Sequence, residues 1–293
     1  MVKEPKDLAA AVRQRLLNLA REEERVFEVV LVAFGLERLI YRLSVSKYRN
    51  DFVLKGGMLV TLWTTDPGRF TRDVDFLAFG AEDEDKLKAA FADILAIDGG
   101  DGLIFDAANI TAAPIREDQV YGGMRLKTTA SLGKTKIPIT IDLGFGDALG
   151  DPKHEVDYGS LLDLPAATIR AYSPATVIAE KLQAVVNLGL ANGRMKDFYD
   201  LWAVPKVVDI DDDELAQTIK STFARRQTEL PVERPVGLSP AFAADPAKVT
   251  QWNAYAQSTE LEGVTLEGVI QEIWKRLEGP CAMASSAAAR DRE

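Results

Sequence analysis

L-K-G-G-M-L-V-T-L-W-T-T-D-P-G-R-F-T-R-D-V-D-F, residues 54–76, decides how the chain folds. Phe52–Leu54 reads as a short strand that ends at Gly56-Gly57. Met58–Trp63 reads as a helix, closed by the T-T-D-P-G turn. A second strand is predicted over Val74–Ala78. Residues two apart on a strand share a face, so Asp73 and Asp75 project side by side while Val74 turns into apolar packing.

Two carboxylates held this close repel each other unless a cation lies between them or one takes a proton. Mg²⁺ favours carboxylate oxygens together with substrate phosphate oxygens. Gly56 and Gly57 let backbone approach a phosphate without an intervening Cβ, and N–H groups at a helix start attract anions. The combination points to phosphoryl or nucleotidyl transfer. A third carboxylate, Asp142, ends the apolar strand Ile139-Thr140-Ile141. It either completes a metal cage with Asp73 and Asp75, acts as a base toward an attacking hydroxyl, or caps the following L-G-F-G turn.

Outward from this stretch, residues 7–44 show apolar positions three and four apart, with a charged break at Arg21–Glu24 between two helices. Glu82–Ile97 is predicted helical, and Leu103–Asp142 has β texture with a hairpin turn at Gly133-Lys134. Beyond about residue 150 the texture is helical. Ser173 and Pro174 open a helix over 174–188. Further helices are expected at 196–203, 211–225, 246–257 and 265–277, with a proline-punctuated loop at 228–240. Trp63, Phe76, Phe79 and Trp202 are expected in the core.

The composition bounds the function. With 293 residues, 47% hydrophobic and 27% charged, the chain has the make-up of a soluble protein able to bury a full core. No apolar run reaches the roughly 18 residues of a membrane span. The opening M-V-K-E-P-K-D-L-A-A-A-V-R reads as an amphipathic helix rather than a signal peptide. One cysteine, Cys281, excludes an internal disulfide, and the expected location is the cytoplasm. A single histidine, His154, read as a loop residue, leaves no room for a His-based triad or a His-rich zinc site. The net charge of −10 argues against nucleic-acid binding by bulk charge. Local basic groups (Arg13, Arg15, Arg21, Lys47 and Arg49; Arg225 and Arg226; Lys134 and Lys136) are each read as solvated faces.

The order h-G-G, then Asp-h-Asp, then a strand-borne acid resembles the DNA polymerase β-like nucleotidyltransferase fold. The details resemble its AbiEii/MenT branch, the toxin half of toxin–antitoxin pairs. Matching elements are Gly56-Gly57, Arg69-Phe70-Thr71-Arg72-Asp73-Val74-Asp75, Glu180-Lys181 and Arg194-Met195-Lys196-Asp197-Phe198-Tyr199-Asp200, in the family's order over roughly 50–202. Met58 departs from the family's frequent Ser or Thr, and Lys55 stands where an apolar residue is frequent.

The resemblance implies an α/β (α+β) fold: a polymerase β-like core with a mixed sheet, a helical N-terminal segment and a helical C-terminal half. The expected division is a nucleotidyltransferase domain at 1–150, a helical domain at 151–278 and a disordered tail at 279–293. Asp73, Asp75 and Asp142 would hold Mg²⁺. Lys181 would reach the triphosphate, with Asp197 orienting it or binding the base or ribose. Gly56, Gly57, Arg69, Thr71, Arg194 and Lys196 would complete the nucleotide site, and Thr71 would be open to regulatory phosphorylation. Tyr199 and Asp200 are expected to pack or cap their helix. The implied activity transfers NMP from an NTP to the 3′ end of tRNA and blocks aminoacylation, with a cognate antitoxin as partner. The alternatives are transfer to a protein or small molecule, or a non-catalytic binding module.

Overall fold

A computed structural model describes residues 7–80, 82–115, 122–147, 154–259 and 261–291. The first six residues of the expected N-terminal helix, residues 151–153 of the polar stretch before His154, and the expected domain border at 150 lie outside these. The chain forms two compact units. The first takes the chain up to Leu62, then Phe70–Gly146, and then the stretch ending at Ala171. The second takes Trp63–Arg69, Asp147 and the chain from Tyr172 onward.

The first unit opens with α1 (Leu8–Glu22), capped by the Asp7 carboxylate on the Ala10 N–H, and α2 (Phe27–Ser44). Next come β1 (Phe52–Lys55), the start of α3 (Gly57–Thr64), β2 (Val74–Ala78) and α4 (Glu84–Leu95). The strands β3 (Leu103–Phe105), β4 (Thr111–Pro114), β5 (Gly123–Leu132) and β6 (Thr135–Phe145) complete a mixed sheet of order β1-β2-β6-β5-β3, with β4 also on β5. β2 and β6 run parallel; the other pairs are antiparallel.

Strand alternation separates core from site. Ile137, Ile139, Ile141 and Leu143 of β6 are all buried, whereas Asp142 is half-buried on the opposite face. α2 lies close to the buried face: a Cβ on Gly35 would come within 2.9 Å of the Ile139 side chain. Phe52, Phe76 and Phe91 form one aromatic cluster, with centroids 5.1–6.4 Å apart. Arg38 and Arg42 of α2 are buried on Asp101, at 2.8 and 2.6 Å, and tie α2 to the loop after α4.

The expected all-helical texture after residue 150 needs correction. β7 (Glu155–Tyr158) and β8 (Ala167–Arg170) form a two-stranded sheet in the first unit, and Ala171 bridges to Leu54 of β1. Four-residue strands with mixed polar content leave little periodicity to read. Phe79 is also corrected: it is 47% exposed, beneath the Arg170 guanidinium rather than in the core.

The second unit is helical: α5 (Pro174–Leu188), α6 (Met195–Val207), α7 (Asp212–Arg225), α8 (Pro240–Ala244), α9 (Pro246–Ser258) and α10 (Leu266–Arg290). Ser173 caps α5 by accepting from the Thr176 N–H, with Pro174 in the first turn. Residues 63–69 pack here too: a Cβ on Gly68 would meet the Thr259 carbonyl oxygen at 2.7 Å. The expected disordered tail is instead helix through Arg290, with Leu277, Cys281 and Ala284 buried. Alanine is the best helix former and its small side chain permits close packing, so low hydrophobicity hid an ordered segment. Among the described residues no helix is long and apolar enough to cross a membrane.

Candidate active site

Val74 is fully buried at the start of β2, while Asp75 and, one residue ahead of the strand, Asp73 are half-buried. The backbone at Gly56 turns through a φ of +71°, which L side chains rarely adopt. A Cβ there would lie 2.0 Å from Oδ2 of Asp75. The Asp75 carboxylate therefore rests directly on the glycine turn, where β1 pairs with β2 through Lys55 and Asp75. Gly57 opens α3 immediately afterwards. The Thr71 hydroxyl donates to Oδ1 of Asp73 at 2.5 Å. Its visible partner is thus the acid itself.

Asp142 stands in register with Asp75 across the parallel β2–β6 pair, and Arg125 stands opposite Asp142 across β5–β6. The Arg125 guanidinium grips Asp142 at both oxygens, Nε to Oδ1 at 2.7 Å and Nη2 to Oδ2 at 2.5 Å. The hydrogen bonds to Asp142, with the nearby charges of Asp73 and Asp75, hold Arg125 above the usual arginine range. Asp142 is therefore not the turn cap that one reading allowed. Nor is the three-carboxylate cage assembled: among the described residues no group of three or more His, Cys, Asp or Glu is arranged to hold a metal. The remaining donors suit Mg²⁺, which is commonly held by one or two carboxylates plus substrate phosphates rather than by an all-protein cage.

The second unit carries a buried charge network. Arg69 grips Asp200 at both oxygens, at 2.6 and 2.8 Å. Lys181 Nζ lies 2.8 Å from Asp197 and 2.7 Å from Asp200. Burial works against each charge, yet Lys181 and Arg69 hold Asp200 below the usual carboxylate range. Asp197 and Asp200 likewise hold the Lys181 ammonium above its usual range despite burial. Asp200 is completely buried between two cations, so it packs inside the unit as their shared ion-pair partner rather than capping the helix. Tyr199 donates its hydroxyl to Asp66. Arg194 is the N-cap position of α6, and its N–H donates to Asn192 at 2.8 Å. Arg194 and Lys196 both have exposed side chains.

A neighbouring cluster explains the Glu of Glu180-Lys181. Arg226 lies 2.8 Å from Glu180 and 3.1 Å from Asp147, and the Tyr172 hydroxyl reaches both acids at 3.3 Å. Arg226 is thus an internal tie rather than part of a solvated basic face.

The structure therefore groups Gly56, Asp75, Asp142 and Arg125 in the first unit, with Thr71 on Asp73, and Arg69, Lys181, Asp197 and Asp200 in the second. The pairing of Arg125 with Asp142, and of Asp200 with Arg69 and Lys181, was not expected from the sequence. A signal for Arg125 existed: a Gly133-Lys134 turn pairs Leu132 with Thr135, and counting back along the hairpin sets Arg125 against Asp142.

The family model described as "Nucleotidyl transferase AbiEii toxin, Type IV TA system" matches residues 38–272. The chain belongs to the AbiEii nucleotidyltransferase toxin family. Among solved structures, it is similar to MenT4, a nucleotidyltransferase toxin from Mycobacterium tuberculosis H37Rv, at 19% identity and TM-score 0.49, over 94% of this chain and 98% of that one. It is also similar to a candidate nucleotidyltransferase from H. pylori at 17% identity and TM-score 0.47, over 87% and 93% of the two chains. JHP933 from Helicobacter pylori gives 16% identity and TM-score 0.46, over 88% and 92%. No curated protein matches the chain.

Proposed function

We propose that this toxin-family nucleotidyltransferase acts in the cytoplasm and moves a nucleoside monophosphate from an NTP to the 3′-terminal hydroxyl of tRNA. The modified tRNA is no longer aminoacylated, and a cognate antitoxin restrains the activity. The observation that carries the chemistry is the Asp75 carboxylate resting on the Gly56 turn, with Asp73, also half-buried, two residues before it. An anion-binding backbone and a pair of hard oxygen donors are the two halves of a site for a metal-bound triphosphate.

In this reading Asp73 and Asp75 would hold Mg²⁺, which would supply neutralisation of negative charge at the transferred phosphoryl group. Gly56 and Gly57 bring backbone N–H groups to the phosphates. Thr71 fixes the rotamer of Asp73. Lys181 supplies a permanent cation for the triphosphate, oriented by Asp197 and Asp200. Arg69 supports that pair through Asp200, and Arg194 and Lys196 add exposed positive charge for the nucleotide. Asp142, whose oxygens are held by Arg125, would serve as third ligand or as base toward the acceptor hydroxyl only once freed from that pair.

The test is incubation with each labelled NTP and either total tRNA or total protein, followed by sequencing of RNA 3′ ends. Label on tRNA termini, lost with Asp73→Ala, is the expected result. Label in the protein fraction alone would move the acceptor to a protein, the reading that the net charge of −10 favours. Growth arrest that survives Asp73→Ala would point to binding without catalysis.

A further inference from the structure

Lys55, Asp75, Asp142 and Arg125 stand abreast on β1, β2, β6 and β5. Both oxygens of Asp142 are taken by the forked guanidinium, the geometry in which arginine binds carboxylates most firmly. Metal coordination and this fork compete for the same lone pairs. Arginine stays charged throughout the working pH range, so the fork is undone by displacement and not by deprotonation. The Arg125 side chain is 41% exposed, while that of Asp142 is 14% exposed. The cation therefore has room to swing into solvent, and the acid does not.

We propose that Arg125 is a positioning residue that neutralises the acid cluster before the divalent cation arrives, and that Asp142 becomes a ligand or base only when Arg125 releases it. This rests on the reading of Asp73 and Asp75 as the metal-holding pair. A guanidinium beside three carboxylates keeps like charges together in the metal-free protein. The arriving cation takes over that role, and the exposed arginine yields first.

The experiment titrates the full chain with Mn²⁺ alone, without nucleotide, by calorimetry or by the paramagnetic resonance of unbound Mn²⁺. Arg125→Met should bind Mn²⁺ about tenfold more tightly than wild type, since a charge at this range shifts binding of another by at least a decade. Arg125→Lys keeps the charge but not the fork, and should fall between the two. It also covers the case in which Arg125→Met does not fold, which a thermal melt in EDTA reports. Adding Asp142→Asn to Arg125→Met should abolish the gain. If the gain persists in the double variant, release of Asp142 is overturned. Equal Mn²⁺ binding by wild type and Arg125→Met, with loss in Asp73→Asn, overturns the inference and leaves the metal pair standing. Mn²⁺ binding by neither protein overturns both.

Discussion

The Asp75 carboxylate occupies the place where a Cβ on residue 56 would stand, with Oδ2 2.0 Å from that position. Glycine at 56 is thus required twice, by its φ of +71° and by the acid lying on it. Gly56→Ala is expected to destabilise the protein by about 1–3 kcal/mol, read from urea melts. It should also displace Asp75 and so lower nucleotidyl transfer by more than the stability change alone accounts for.

Asp73→Asn keeps the shape of the side chain and removes its charge. Transfer to tRNA should fall by about a thousandfold, the scale of losing a preorganised charge in a reaction centre. The half-buried position predicts a melting temperature close to wild type. A variant that melts normally and transfers normally would remove Asp73 from the chemistry.

Arg69 and Asp200 form a buried, doubly bonded pair. Asp200→Ala takes the shared carboxylate from two buried cations and should cost about 3–5 kcal/mol in denaturant melts, whereas Arg69→Met leaves Asp200 paired with Lys181 and should cost less. The double variant should cost clearly less than the two losses added together, because the partners are coupled. Additive losses would mean that the pair does not act as one unit.

The same network sets a pH dependence. Asp200 lies below the ordinary carboxylate value in the folded protein. Its contribution is complete above the unfolded value, about pH 4, and is lost as pH falls through the depressed folded value. Lys181 lies above its ordinary value of 10.5, so its contribution is complete below that and is lost only as pH rises through the higher folded value. Melts of wild type and Asp200→Asn across the acid range should show a constant gap near neutrality that narrows below about pH 4.

Cys281 is buried in α10, and burial pushes its thiol up to about 12. A thiol reagent near pH 8 should therefore react only after denaturant is added. Truncation after Glu278 should lower the melting temperature, since it removes the buried Cys281 and Ala284. Rapid labelling of the native chain would mean that the last turns of α10 open freely.

What could be read from sequence was local. The Gly-Gly turn, the D-V-D strand and the Ser173-Pro174 cap each declare themselves within a few residues. The mixed sheet followed from the family resemblance and is present. Arg125 and Asp200 acquire meaning only through partners 17 and 131 residues away. Periodicity does not report such pairings. Composition misled at the C-terminus, where alanine and serine signal either loose chain or close helix packing.

Arg69 belongs to one compact unit and Phe70 to the other. A gene fragment beginning near residue 150 would encode Asp200 and Lys181 but omit the guanidinium that reaches Asp200 from far upstream. Such a fragment should therefore melt below one onto which residues 63–69 are grafted or restored by circular permutation.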